Sequence, residues 1–132
     1  MPAEPDPKRL GAKGKPIVKG SETIYEIIRG KDGFGFGLSL VRITDGWNET
    51  HYHDRTKELY VVIWGGLEVE LAYLSRHKHP RWRSSPEYLK PGESVTIIPG
   101  KGHRARAFFR SIGWFYVFTY PLFDPADYYP IT

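Results

Sequence analysis

Apolar, β-branched and aromatic positions alternate with polar ones in short runs along most of the chain, and no stretch of ten or more residues carries a helical spacing. The runs predict strands over 23–29, 34–44, 48–53, 58–64, 67–74, 87–90, 94–98, 103–109 and 114–120. Within 34–44, Phe34, Phe36, Leu38 and Leu40 fall at even positions with Gly35, Gly37 and Ser39 between them, one bulky face and one bare one. Gly65-Gly66 joins two β-rich runs and predicts a hairpin. Gly30-Lys31-Asp32-Gly33, Pro91-Gly92-Glu93 and Pro99-Gly100-Lys101-Gly102 read as turns, and the polar stretch 75–86 reads as a loop. The tail from Pro121, rich in Pro, Asp and Tyr, is expected to pack over one end. About nine short strands with regular turns define an all-β sandwich or barrel.

Composition agrees: of 132 residues, 14 are Gly and 11 Pro, and 15% are aromatic. The length suits one core. The absence of cysteine excludes disulfides, thiolate metal sites and cysteine nucleophiles, so any metal must be held by His, Asp or Glu. No apolar run is long enough for a membrane span and Met1 to Pro7 lack a secretory signal, so a cytoplasmic location without membrane association is the expectation.

The formal charge of +4 is uneven. Lys8, Arg9, Lys13, Lys15 and Lys19 face only Glu4 and Asp6 within residues 1–20, which read as a flexible basic arm preceding a nearly neutral domain over 21–132. That near-neutrality argues against a nucleic-acid partner.

Four residues stand out chemically. His51 and His53 are two apart in a strand, so both rings project from one face. Glu58 opens the otherwise apolar alternation Glu58, Tyr60, Val62, Trp64, and His103 opens a later strand after a Gly- and Pro-rich turn. Three imidazoles and a carboxylate suit one divalent transition metal, with iron, manganese, nickel and zinc all admissible. Tyr60 shares the face of Glu58 and should point toward the ion, so Tyr60 and Glu58 are the candidate catalytic residues. Trp64, Phe36, Trp114, Tyr116 and Phe118 are expected in the core or pocket wall. Arg104, Arg106 and Arg110 should face away from the ion. His77 and His79 sit among Arg76, Lys78, Arg81 and Arg83, where positive charge disfavours a second cation, although an anionic substrate could be drawn to them if the loop covered the barrel mouth.

Gly46-x4-His51-x-His53-x4-Glu58-x6-Gly65 resembles the first cupin motif and Gly92-x6-Pro99-x3-His103 the second. The two turns preceding His51 and His103 are each one residue shorter than the commonest family form. The resemblance covers about residues 34–120 and implies a cupin double-stranded β-helix, or jelly-roll, barrel with His51, His53, Glu58 and His103 as metal ligands. Together with the ending Tyr120-Pro121 to Asp127-Tyr128, it is similar to small cupin sugar-phosphate isomerases and dimethylsulfoniopropionate lyases. It implies a metalloenzyme for a small oxygen-rich substrate, with proton abstraction as isomerase or lyase favoured. A dioxygenase, a decarboxylase and a non-catalytic sugar- or metabolite-binding module are the alternatives. A homodimer is implied as well, with Phe115, Phe123, Tyr128 and Tyr129 as candidates to cover an edge of one chain or of its partner.

Overall fold

Two antiparallel sheets face each other, and the chain crosses between them repeatedly. The computed structural model describes residues 3–83, 85–122 and 124–131; Phe123 lies outside them. The first sheet contains β1 (Ile17–Lys19), β2 (Glu22–Ile28), β3 (Gly37–Thr44), β11 (Ile112–Tyr120), β5 (Lys57–Trp64) and β9 (Ser94–Ile97), in that spatial order. The second runs β12 (Tyr129–Pro130), β4 (His51–Tyr52), β10 (Gly102–Ala107), β6 (Leu67–Leu74), β7 (Pro80–Trp82), with β8 (Glu87–Leu89) also paired to β6. This is an all-β jelly roll of cupin type, with a single 3-10 turn at Gly30–Asp32 and no α-helix among the described residues.

Close packing explains the glycine hairpin. A Cβ on Gly65 would lie 2.3 Å from the Ile112 carbonyl oxygen, and Gly65 also holds φ +70°, which favours glycine. The inner faces carry Val41, Ile43, Val62, Leu67, Val69, Ile97 and Phe115, all nearly inaccessible. Burying each such side chain contributes roughly 1.5–3 kcal/mol.

Several expected boundaries move. The strand predicted from Phe34 starts at Gly37, because Phe34 and Phe36 pack on each other outside the ladder. Pro80–Trp82, read as part of a loop, forms β7 against Ala72–Leu74 at the sheet edge, where a missing proline N–H is harmless. Trp114 is buried, but through the outer face: Phe115 and Val117 point inward, while Tyr116 and Phe118 share the outer face with Trp114.

The N-terminal segment covers that outer face. Trp114 Nε1 donates to Glu4 Oε1 at 2.9 Å, Arg42 Nε reaches the same oxygen at 3.1 Å, and Leu40 beneath is fully buried. Ile17–Lys19, assigned by charge to the arm, extends the sheet as β1.

On the outer face of the second sheet, Arg104 lies between Trp47 and Trp82, 4.2 and 4.4 Å from their rings, and pairs with Glu70 at 3.0 Å. Arg106 also stacks on Trp47 and pairs with the buried Glu68 at 2.8 Å. Both arginines face away from His103, as strand parity requires.

Candidate metal centre

His51 and His53 enter the barrel from β4 and the residue after it, Glu58 from β5 and His103 from β10. His51 and His103 are direct cross-strand partners, with ring centroids 4.1 Å apart. The turn before His103 folds over His53, where Gly100 N–H donates to the His53 carbonyl at 2.7 Å. Each residue contributes one ligand atom to a set lying within 4.8 Å of one another, and all four side chains are buried. The cluster could hold a metal ion.

The donors are preset for that role. Nδ1 of His51 donates to the Glu49 carbonyl at 2.7 Å, Nδ1 of His53 to the Asp127 carbonyl at 2.5 Å, and Nδ1 of His103 to the Lys101 carbonyl at 3.1 Å. A carbonyl only accepts, so each ring carries a proton on Nδ1 and turns Nε2, the nitrogen that could meet an ion, inward. Glu58 Oε1 lies 3.0 Å from His103 Nε2 and 3.2 Å from His53 Nε2, yet the approach to His103 lacks the alignment of a hydrogen bond. Three such nitrogens and a carboxylate oxygen aimed at one point would be costly without a cation among them. The residues therefore fit a divalent ion.

The donor groups differ in charge preference. Burial pulls His51 down to about 3, with the nearby His103 acting in the same direction, so His51 is a neutral donor. Burial opposes the charge on Glu58, but His103 and His53 outweigh it and hold the carboxyl well below its ordinary range. Burial also disfavours charged His53, and Glu58 more than offsets this, raising it.

Tyr60 follows Glu58 on the inner face of β5, buried, with its ring 5.0 Å from Phe115 and 6.3 Å from His103. Burial, aided by the negative charge of Glu58, pushes its phenol well above 10, so it is neutral at ordinary pH. His77 and His79 are exposed in the loop after β6, and neither belongs to the clustered donors.

Sequence reading located the four donors but not what orients them. The Asp127 carboxylate accepts from the N–H groups of Asp54, Arg55 and Thr56 at 2.8, 3.0 and 3.0 Å and from Thr56 Oγ1 at 2.7 Å. It thereby fixes the turn separating His53 from Glu58. Tyr128 stacks on His51 at 4.4 Å and donates its hydroxyl to Glu49 at 2.6 Å. Tyr129 stacks on Tyr52 as β12 pairs with β4, so this part of the tail covers an edge of its own chain. Asn48 pairs with the middle of β10, its backbone N–H donating to the Ala105 carbonyl at 2.9 Å and its Oδ1 accepting from Ala105 N–H at 2.7 Å. Glu22 shares the interior face, as the first residue of β2.

No family model matches the sequence, and no curated protein matches it. Solved structures do. The capsular polysaccharide assembling protein CapF from Staphylococcus aureus matches with TM-score 0.70 and 18% identity over 86% of this chain and 33% of CapF. This chain thus spans about a third of that relative's length. A protein from Planctomyces limnophilus matches with TM-score 0.70 and 20% identity over 98% of this chain and 96% of that one. Pac13 from Streptomyces, a nucleoside dehydratase, matches with TM-score 0.69 and 12% identity over 92% of this chain and 86% of Pac13. The likeness is one of fold: the chain has the cupin barrel, with a buried His, His, Glu, His cluster typical of metal-binding cupins.

Proposed function

We propose that this protein is a metal-dependent enzyme that acts on a small oxygen-rich substrate by proton abstraction, as an isomerase or a lyase. The convergence of three Nε2 atoms and Glu58 Oε1 on one buried point carries the reading. That Pac13, with the same fold, is a dehydratase supports the lyase branch. A divalent ion held there would supply Lewis acidity toward a substrate carbonyl or carboxylate.

The remaining work falls to the chain. His51, His53 and His103, locked through Nδ1, hold their Nε2 atoms in place, and Glu58 is the anionic ligand. Tyr60, kept neutral by burial, is suited to donate a proton to oxygen as charge develops there. Val62, Leu71 and Phe115 keep the interior dry, which strengthens each electrostatic contact.

Elemental analysis of protein purified without added metal, followed by a screen of sugar phosphates, keto acids and diketones with the metal found, tests the reading. One equivalent of a divalent transition metal and turnover of one of these classes are expected. Tyr60→Phe should keep the metal and lose about 100-fold or more in turnover. Protein that takes up no such ion under any loading condition overturns the proposal, and full turnover by Tyr60→Phe removes Tyr60 from it.

A further inference from the structure

Besides Glu58, the interior face of the first sheet carries two acids on β2, Glu22 and Glu26. Glu22 is the cross-strand partner of Ile43, which is fully buried in the core. Cross-strand partners share a face, so Glu22 projects into the barrel, followed by Ile24 opposite Val41. The outward-facing acids Glu68 and Glu70 are each paired with an arginine, whereas Glu22 lies beside the Asn48 side chain, which favours its charged form. Asn48 is itself fixed to Ala105 through two hydrogen bonds, at 2.9 and 2.7 Å. Ala105 lies two residues from His103 on β10, so Asn48, beside Glu22, is tied to the strand that carries a donor.

The charges register this proximity. Burial is the main influence on the Glu22 carboxyl and raises it, Asn48 and Lys19 oppose the rise, and Glu58 adds to it. Glu22 in turn raises both Tyr60 and Tyr128. Lys19, directly across the β1–β2 ladder, places its ammonium 3.7 Å from Glu49.

We propose that Glu22 is the acid–base residue of this site, with Asn48 as its positioning residue. This rests on the metal-dependent proton-abstraction reading above. The Glu22 carboxylate removes a proton from the substrate carbon next to the carbonyl or carboxylate and becomes a carboxylic acid. The C–H electron pair moves onto the substrate oxygen, which Tyr60 stabilises by hydrogen bonding. In an isomerase the hydroxyl proton on that carbon passes to the former carbonyl oxygen, the hydroxyl oxygen becomes the new carbonyl, and Glu22 returns its proton to the former carbonyl carbon; in a lyase the pair returns to expel a leaving group from the next carbon, and that group takes up the Glu22 proton. Two groups with different affinities for protons then divide the work, the carboxyl as base and the phenol as donor.

The test uses Co(II)-loaded full-length protein, with azide as the probe of the field at the ion and deuterium exchange from D2O into the compounds of the screen. Glu22→Gln should keep one equivalent of Co(II). Loss of the facing negative charge should tighten azide binding about threefold or more, followed by the cobalt visible bands. Exchange into the substrate C–H should fall about 100-fold or more. Glu22→Asp, which keeps the charge but withdraws it, should bind azide as weakly as wild type and still lose exchange. It serves as the second variant if Glu22→Gln folds poorly. Equal azide affinity in Glu22→Gln and wild type, or undiminished exchange, overturns the assignment of Glu22. Failure of wild-type protein to take up Co(II), or to exchange any compound, instead overturns the metal-dependent reading and this inference with it.

Discussion

Tyr128 lies nearly parallel to His51, with ring centroids 4.4 Å apart and planes inclined by 22°. The tyrosine belongs to the tail and the histidine to β4, so a residue 77 positions downstream covers one of the four donors. Its hydroxyl is anchored on Glu49, and the Lys19 ammonium lies 3.6 Å from the centroid of its ring. Three separate segments of chain therefore close over His51.

That cover predicts a kinetic effect on metal exchange. Removing the ring in Tyr128→Ala deletes a stacking contact of about 0.5–1.5 kcal/mol. EDTA should then strip the ion from loaded protein a few-fold to about tenfold faster, by stopped-flow with a metal indicator, while Tyr128→Phe stays near wild type. Unchanged release from Tyr128→Ala would show that the ring does not shield the site.

The donors themselves should respond far more strongly. His53→Ala and His103→Ala should each drop bound metal well below one equivalent, and Glu58→Gln should weaken it by removing the anionic ligand. In the metal-depleted state His103→Ala should also lower stability, because it removes a fully buried ring that lies 3.0 Å from the Glu58 carboxylate. Elemental analysis and urea titration read the two effects separately.

Asp127 predicts a pH dependence. Burial favours its neutral form, but the Thr56 hydroxyl and the N–H groups of Asp54, Arg55 and Thr56 outweigh that and hold the carboxyl below its ordinary value. A carboxyl lowered in the folded state stabilises the protein above its unfolded pKa of about 3.9 and loses that stabilisation as pH falls through the folded value. Urea midpoints should therefore fall below about pH 4. Asp127→Asn should cost roughly 1.5–3 kcal/mol at pH 7, with the difference from wild type narrowing as acid is added. A gap that stays constant down to pH 2.5 contradicts the assignment.

The outer-face ion pairs should differ from one another according to burial. Arg106→Ala strands Glu68, which is only 3% exposed, and should cost roughly 1–3 kcal/mol. Arg55→Ala breaks a pair with Asp124 whose members are 68% and 54% exposed, and should change stability by less than about 0.5 kcal/mol. Chemical denaturation at low and high salt distinguishes them.

Local pattern carried the barrel and the donors. Gly65-Gly66 marked a hairpin because no larger residue fits against Ile112, and the two-residue step from His51 to His53 placed both rings on one face. Pro80–Trp82 escaped notice because an edge strand held by three cross-strand pairs leaves little trace in composition. The bulky even positions Phe34 and Phe36 imitated a strand that in fact begins at Gly37. Asp127 and Tyr128 could not be tied to particular donors, since their contacts with the His51–Thr56 region exist only after the chain has closed on itself. Glu22 was legible only in part, because Glu26 shares its strand and its parity.

The clamp at Asp127 also sets an order of events during synthesis. His53 emerges from the ribosome 74 residues before the carbonyl that orients its ring, and the amides of residues 54–56 wait as long for the carboxylate that gathers them. A nascent chain carries all four donors by residue 103 but cannot yet aim them. Any tight capture of a cation would thus belong to the finished barrel and not to the growing peptide.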